Sequence, residues 1–405
     1  MIGTHMNERW KILSVVGTRP NFMKVAPIVA ALAQRDEQFE HVLVHTGQHY
    51  DRAMSEIFLE ELGVGEPDHR LGVGSGTHAQ QTAAAMERIE AVLLAERPDL
   101  VLVPGDVNST LAAALVAVKL GLPVGHVEAG LRSFDRSMPE EINRVVTDAV
   151  SELLFTHSPE ARRHLLAEGR EEGQIHDVGN TMIDTLVSLR ARIDARDAPS
   201  RWGVPDGGYV VVTLHRPALV DGPLLSVAAA ALRALAGELP VVFPVHPRTR
   251  ARLLVEDPTL AYAPGLALLE PIGYVEFLAL VAHAAGVLTD SGGIQEETTF
   301  LGVPCLTLRE NTERPITESM GTNLLLGLAP ARIREAPELL ARVRARLRQV
   351  PPLWDGRAAR RIVDVLADWL HRDERRTPAI AVAGAQPLAT SSSSAAIRPA
   401  SARRS

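Results

Sequence analysis

The chain has 405 residues, 46% of them hydrophobic, and a formal charge of -7 at pH 7. That length exceeds one compact core and suits two α/β domains with a tail. The negative charge gives no footing for nucleic acid or an anionic membrane as partner, no apolar run reaches the roughly 18 residues of a membrane span, and no basic start followed by an apolar run marks a signal peptide. The single cysteine, Cys305, lies in an apolar run, reads as a core residue and fits a reducing cytoplasm.

Residues Met1 to His5 read as an added leader before a start near Met6. From there, short apolar runs alternate with helix-length segments. Residues 12–16, 42–45, 100–103 and 124–127 read as buried strands, with helical patterns between them such as residues 110–120. The alternation predicts right-handed βαβ units and a parallel sheet. It resumes with strands at 209–213, 241–245, 266–269 and 286–289, which predicts a second sheet.

A faint internal echo relates the halves. Val103-Pro104-Gly105-Asp106 is followed by a helix and Leu120-Gly121-Leu122-Pro123, and Leu288-Thr289-Asp290 by a helix and Leu301-Gly302-Val303-Pro304. The expected organisation is two Rossmann-like parallel-sheet domains facing across a cleft. Residues 6–186 form the first and 187–356 the second, with a linker near 187–207. A helix at 357–371 crosses back to the first domain, and a Ser- and Arg-rich disordered tail occupies 372–405. Ligands of open parallel sheets bind beyond the carboxyl ends of the strands, so the chemistry is sought there.

The first strand leads into Gly17-Thr18-Arg19-Pro20-Asn21-Phe22-Met23-Lys24. A glycine turn opening a helix offers backbone N–H groups to an anion, and Arg19 and Lys24 add charge. No Gly-x-Gly-x-x-Gly or Walker lysine is present, so no dinucleotide cofactor is expected. A second candidate anion turn is Asp290-Ser291-Gly292-Gly293, followed by Glu296 and Glu297 in the first helical turn. There Ser291 suits a cap or a phosphate donor. Glu296 reads as complementing the helix dipole, while Glu297 suits either that role or a hydroxyl acceptor.

Between these turns lie three acids. Asp106 ends a strand, where it reads equally as a helix cap. Glu128 follows a strand beside Gly130. Glu140, in Ser137-Met138-Pro139-Glu140, has capping-box spacing. His215 beside Arg216 and His246 near Arg248 end strands of the second half, whereas His126 inside an apolar strand reads as a satisfied core residue. No set of His, Cys and carboxylates has convincing zinc spacing, so no metal is expected.

Taken together, these segments resemble the non-hydrolysing UDP-N-acetylglucosamine 2-epimerases from about Lys11 to Leu370. The resemblance rests on Gly17-Thr18-Arg19-Pro20, residues 126–132, residues 139–144, Gly179-Asn180-Thr181, residues 290–297 and Thr312-Glu313-Arg314-Pro315. It implies a glycosyltransferase-B type fold, a homodimer, a UDP-sugar substrate and no cofactor. It also implies inversion at carbon 2 by elimination and re-addition of UDP through 2-acetamidoglucal. Carried over by motif position, Asp106, Glu128, Glu140 and His215 are the catalytic candidates. Arg19, Lys24, Phe277, Ser291, Gly292, Gly293, Glu297 and Arg314 would hold UDP. Gln48, Arg216 and His246 match positions linked to a regulatory second UDP-sugar site, although Tyr50 and Asp51 depart from the pattern of many bacterial members. The Gln48-His49-Tyr50-Asp51 form is shared with relatives acting on 2,3-diacetamido uronic-acid sugars, which keeps that substrate as an alternative. A hydrolysing variant releasing N-acetylmannosamine and UDP is another.

Overall fold

A computed structural model describes residues 9–47, 59–346 and 348–372. Gln48, the neighbouring Tyr50 and Asp51, the leader and the tail beyond Arg372 lie outside the described residues.

The alternating apolar runs form two wholly parallel sheets. The first holds β1 (Trp10–Val16), β2 (Phe39–His45), β3 (His69–Arg70), β4 (Leu100–Pro104), β5 (Val124–Val127), β6 (Leu153–Thr156) and β7 (Ile175–Asp177), in the order β3-β2-β1-β4-β5-β6-β7. The second holds β8 (Val210–Thr213), β9 (Val241–Pro244), β10 (Leu266–Leu269), β11 (Gly286–Thr289), β12 (Cys305–Thr307) and β13 (Asn323–Leu325), in the order β10-β9-β8-β11-β12-β13. In each sheet the chain steps outward on one side of the first strand and returns on the other. The switch points therefore lie between β1 and β4 and between β8 and β11. The internal echo seen in the sequence falls on β4 and β11, which occupy equivalent places. Cys305 is buried in β12, and burial pushes its thiol up to about 11, as suits a core residue.

Helices cover both faces because strands buried on two sides must be apolar throughout. One cluster under the first sheet joins Val103 and Val44 to Ile89 and Ala113. Another joins Ile12, Leu102 and Phe155 to Ile362, Leu366 and Leu370 of the helix Ala358–Arg372. The last helix therefore packs on the first sheet, although it follows the second in sequence. A third cluster belongs to both halves: Val16, Phe22 and Met23 of the first meet Met182 and Leu186, and the same cluster continues to Tyr209 and Leu278 of the second.

Residues 187–207 were expected to link the halves. The helix Thr181–Asp194 runs through position 187, because Leu186, Leu189 and Ile193 give it a buried apolar face that outweighs the polar residues between them. Asp184 of this helix accepts from the backbone N–H groups of Ala358 (3.1 Å) and Ala359 (2.7 Å). A side chain remote in sequence thus caps the last helix and fixes its entry onto the first sheet.

Burial pushes the Asp184 carboxyl up to about 6, against the two N–H donors that favour its charged form. A carboxyl raised on folding stabilises most when protonated, and that contribution fades as pH rises toward 6. Replacing Asp184 with Ala is expected to cost about 1–2 kcal/mol, measured by denaturant unfolding. Against Asp184→Asn, the parent protein should gain stability as pH falls from about 6 toward 4.

Candidate active site

The candidate residues Asp106, Glu128 and His215 follow the carboxyl ends of strands β4, β5 and β8. Glu128 follows β5 and holds a left-handed backbone, φ 72°, an uncommon state for a residue with a side chain. Its surroundings over-determine that conformation. The next turn is anchored by Asp148, which accepts from the Gly130 N–H at 3.0 Å and pairs with Arg132 at 2.7 Å. Gly130, at φ 81°, packs so closely that a Cβ there would come within 2.4 Å of the Ala161 carbonyl.

His126, in β5, joins this anchor to the preceding strand end. Its Nδ1 lies 2.6 Å from Asp148 and its Nε2 2.8 Å from the Gly105 carbonyl oxygen. The ring therefore bridges the Asp148 carboxylate and the Gly105 carbonyl. The expected core histidine is fully satisfied, and it ties the Gly105-Asp106 turn to the Glu128-Gly130 turn.

The Glu128 carboxylate is fully engaged. Oε2 pairs with Lys24 of the helix Arg19–Ala33, and Oε1 accepts from Arg314 Nη2 at 2.8 Å. Arg314 comes from the second half and is 5% exposed. Its Nε lies 3.1 Å from Glu296 and its Nη1 pairs with Glu313. Glu313 also holds Arg309, at 2.6 Å. His157, just beyond β6, lies 2.9 Å from Glu296. Lys24, Glu128 and His157 of one half and Glu296, Arg314 and Glu313 of the other thus form one buried network across the cleft. Burial alone would raise the Glu128 carboxyl, but Lys24 and Arg314 outweigh it and hold it below the usual carboxylate range. Glu313 is held well below that range, its burial outweighed by Arg314 and Arg309.

Glu128, His157 and Glu296 place ligand-type atoms within 4.8 Å of one another. Lys24 and Arg314 already neutralise those carboxylates, so the cluster suits an internal ion network better than a divalent cation. A cavity of about 10 Å³ beside Lys24, Glu128, His157 and Asn180 has room for one water.

The remaining acids differ in setting. Asp106 is not a helix cap, since Val107 occupies that position without a side-chain bond. The Asp106 carboxylate instead pairs with Arg144, and Asn143 donates to the Asp106 carbonyl at 2.8 Å. The expected capping box at Ser137 and Glu140 is absent. Ser137 bonds Asp135, Met138 is the cap, and Glu141 accepts the N–H groups of Ser133 and Phe134, each at 2.9 Å. Glu140 is left with no hydrogen bond or ion pair among the described residues. It lies close enough to Arg216 of the second half to influence that guanidinium.

The first anion turn also differs from expectation. The N–H groups of Gly17 and Thr18 both donate to Asn21 Oδ1, at 3.2 and 3.1 Å, so they close the turn on itself. Half-buried Arg19 has no acid partner among the described residues. Ser291 occupies the cap of the helix Gly292–Leu301 without a side-chain cap bond. A Cβ at Gly292 would meet Arg314 and Glu313, each at 2.6 Å, and one at Gly293 would meet Met182 at 3.0 Å. The glycines therefore admit Arg314 to the turn. Glu297 accepts from the Tyr274 hydroxyl at 2.7 Å, and burial pushes its carboxyl up to about 7. Phe277 is partly buried on the shared core.

His215 follows β8 with its side chain 55% exposed, and its Nδ1 lies 3.0 Å from Asp290 Oδ1. His246 is exposed and caps its own helix by accepting the Arg248 N–H at 3.2 Å; no hydrogen bond joins it to the network. Sequence reasoning assigned Glu296 to the helix dipole and passed over His157, Arg144, Glu313 and Asp290 as site residues. Arg144 and Glu313 stood inside motifs already singled out, but only the fold reveals which acids they meet.

The two parallel sheets, with acids and anion-binding turns at facing strand ends, define an α/β protein of the glycosyltransferase-B type, an architecture found in its solved relatives. A family model described as UDP-N-acetylglucosamine 2-epimerase matches residues 31–367, and the chain belongs to that family. A UDP-N-acetylglucosamine 2-epimerase of Methanocaldococcus jannaschii is 42% identical over 364 residues, covering 88% of this chain and 98% of that protein. The crystal structure of the Methanocaldococcus jannaschii UDP-GlcNAc 2-epimerase in complex with UDP-GlcNAc and UDP is similar with a TM-score of 0.81 at 41% identity, covering 88% of this chain and 99% of that one. A UDP-2,3-diacetamido-2,3-dideoxy-D-glucuronate 2-epimerase of Pseudomonas aeruginosa is 42% identical over 331 residues, covering 80% of this chain and 91% of that protein. No helix among the described residues is long and apolar enough to cross a membrane.

Removing Arg314 would leave Glu128, Glu296 and Glu313 buried without their shared cation. Arg314→Ala is therefore expected to cost about 3–5 kcal/mol of stability, well beyond an exposed ion pair. Thermal melting with and without UDP checks this, and an unchanged melting temperature would contradict the network.

Proposed function

We propose that this protein interconverts UDP-N-acetylglucosamine and UDP-N-acetylmannosamine by eliminating and re-adding UDP, through a bound 2-acetamidoglucal. The observation that supports the reading is the buried pairing of Glu128 with Lys24 of its own half and Arg314 of the other, with Asp106 held by Arg144 and Glu140 near Arg216. Membership of the family and the UDP-sugar named for the Methanocaldococcus jannaschii structure support it.

The chemistry explains why such a site is needed. No carbonyl is attached to carbon 2, so its hydrogen is not acidic. Departure of UDP from carbon 1 must be assisted while a base takes the proton, and the proton must return to the opposite face. Arg19, Lys24, Arg314 and the turn Ser291, Gly292 and Gly293 are the groups we assign to the diphosphate. Phe277 and Glu297 are assigned to the nucleoside; Glu297 is well suited, since burial keeps its proton available near neutral pH for a hydroxyl partner. Asp106, Glu128, Glu140 and His215 are assigned to proton transfer, and Glu140 is the acid left free among the described residues. Arg216 would answer a second anion near Glu140, and exposed His246 would reach a regulatory UDP-sugar only from outside the ion network. A homodimer working in the cytoplasm completes the reading.

A second substrate, a UDP-2,3-diacetamido uronic acid, is favoured by one observation: the Pseudomonas aeruginosa epimerase of that sugar is 42% identical, as is the Methanocaldococcus jannaschii one. Turnover of the two sugars, followed side by side by proton spectroscopy, separates the readings.

Incubation with UDP-N-acetylglucosamine in deuterated water should place deuterium at carbon 2 of the product; retention of protium there would overturn the elimination. Glu128→Gln should lose about 10²–10⁴-fold in turnover. If Glu128 only holds the Lys24 and Arg314 cations, the variant will instead melt early and turn over at the parental rate.

A further inference from the structure

Resting on the proposed reaction, we propose that Asp290 is a positioning residue: its carboxylate fixes His215 with the proton on Nδ1 and leaves Nε2 as the acceptor presented to the cleft. Nothing in the motif reading assigns it this part. As a strand-end acid in Thr289-Asp290-Ser291 it would ordinarily cap the helix that follows.

Here it does not cap. Ser291 is the cap residue, and Asp290 turns toward the neighbouring strand end. Its Oδ2 accepts two backbone N–H groups, from His215 at 2.9 Å and Arg216 at 2.8 Å, and its Oδ1 lies 3.0 Å from His215 Nδ1. One carboxylate thus holds the loop by two hydrogen bonds and sets the ring nitrogen within ion-pair distance of its other oxygen. Asp290 is 1% exposed, so it meets the cleft only through His215, which is 55% exposed in its side chain. Burial would raise the Asp290 carboxyl, but the bonds from His215 and Arg216 outweigh it and keep it ionised. An ionised carboxylate only accepts, so the nitrogen facing it carries the hydrogen. Nε2 has no hydrogen-bond partner among the described residues. The placement suits it: β8 and β11 are hydrogen-bonded neighbours at the switch point of the second sheet, where a ligand would sit.

Substitution by Asn separates positioning from support. In Asp290→Asn the amide oxygen can still accept the two backbone N–H groups. The amide NH₂ then faces Nδ1, which must become an acceptor, and the ring proton moves to Nε2. The variant should therefore keep its melting temperature and UDP affinity and lose at least about tenfold in kcat, with KM little changed. In a His215→Asn background the same substitution should change kcat by less than about twofold, because the ring it acts through is gone. Equal losses in both backgrounds would overturn the proposal. Nitrogen-15 spectra of the intact protein with labelled histidine give an answer that does not depend on any variant folding: neutral His215 should be protonated at Nδ1, and a proton found on Nε2 would overturn the assignment. If the protein binds UDP but epimerises no UDP-sugar, the proposed reaction fails, while the spectra still decide whether Asp290 sets the tautomer.

Discussion

Glu128 is held by Lys24 from its own half of the molecule and by Arg314 from the other, and most of the site follows from that arrangement. Each buried ion loses several kcal/mol of hydration, a cost that mutual attraction offsets only when partners are close and well directed. Neither half has a complete set. Without Arg314, Glu128 keeps only Lys24; without Glu128, Arg314 faces two acids of its own half. The halves are therefore complementary in charge at this one place. The driving force for bringing them together is better assigned to the shared apolar cluster, in which Phe22, Met23 and Met182 of the first half join Tyr209 and Leu278 of the second, since burial of such side chains stabilises by about 1.5–3 kcal/mol each. The ion network then selects one alignment among those the apolar contact would accept.

The same economy appears within the first half. Glu128 adopts a backbone conformation that costs about 1–3 kcal/mol unless its surroundings enforce it. Asp148 and His126 supply the enforcement from the next helix and from the strand itself, by gripping Gly130 on one side and Gly105 on the other. Two neighbouring strand ends are thereby locked to each other, which fixes the relation between Asp106 and Glu128. Arg144 adds a second brace, pairing with Asp106 and with Glu141 at 2.7 Å.

Most of the architecture was legible in the sequence because it depends on periodicity. Buried parallel strands must be apolar runs, and those runs stood out; their observed bounds differ from the expected ones by a few residues at most, as with Trp10–Val16. The repeated strand-to-Asp pattern falls on β4 and β11, each of which flanks a switch point. What the sequence did not disclose were pairings between residues far apart along the chain. Glu296 looked like a helix-dipole acid because its local position is the first helical turn, yet its partners, Arg314 and His157, lie far from it in sequence. The capping box at Ser137 failed for a related reason. Spacing alone cannot tell that Glu141, one residue later, would take the Ser133 and Phe134 N–H groups and leave Glu140 free. Likewise the Gly17 turn carries the right residues for an anion, but Asn21 already occupies its N–H groups.

The internal echo allows a last comparison. Asp106 and Asp290 end equivalent strands at equivalent switch points, so any difference between them comes from their surroundings. Asp106 has a side chain 24% exposed and meets the Arg144 guanidinium. Asp290, at 1%, spends both oxygens on the adjoining loop and the His215 ring. Asp106 keeps part of its carboxylate open, whereas Asp290 is enclosed by the loop it binds and by the His215 ring. One strand-to-Asp pattern thus carries two aspartates in different settings: one partly exposed beside a guanidinium, the other buried behind an exposed histidine. The asymmetry between the halves arises from which neighbour each aspartate finds rather than from the strand that carries it.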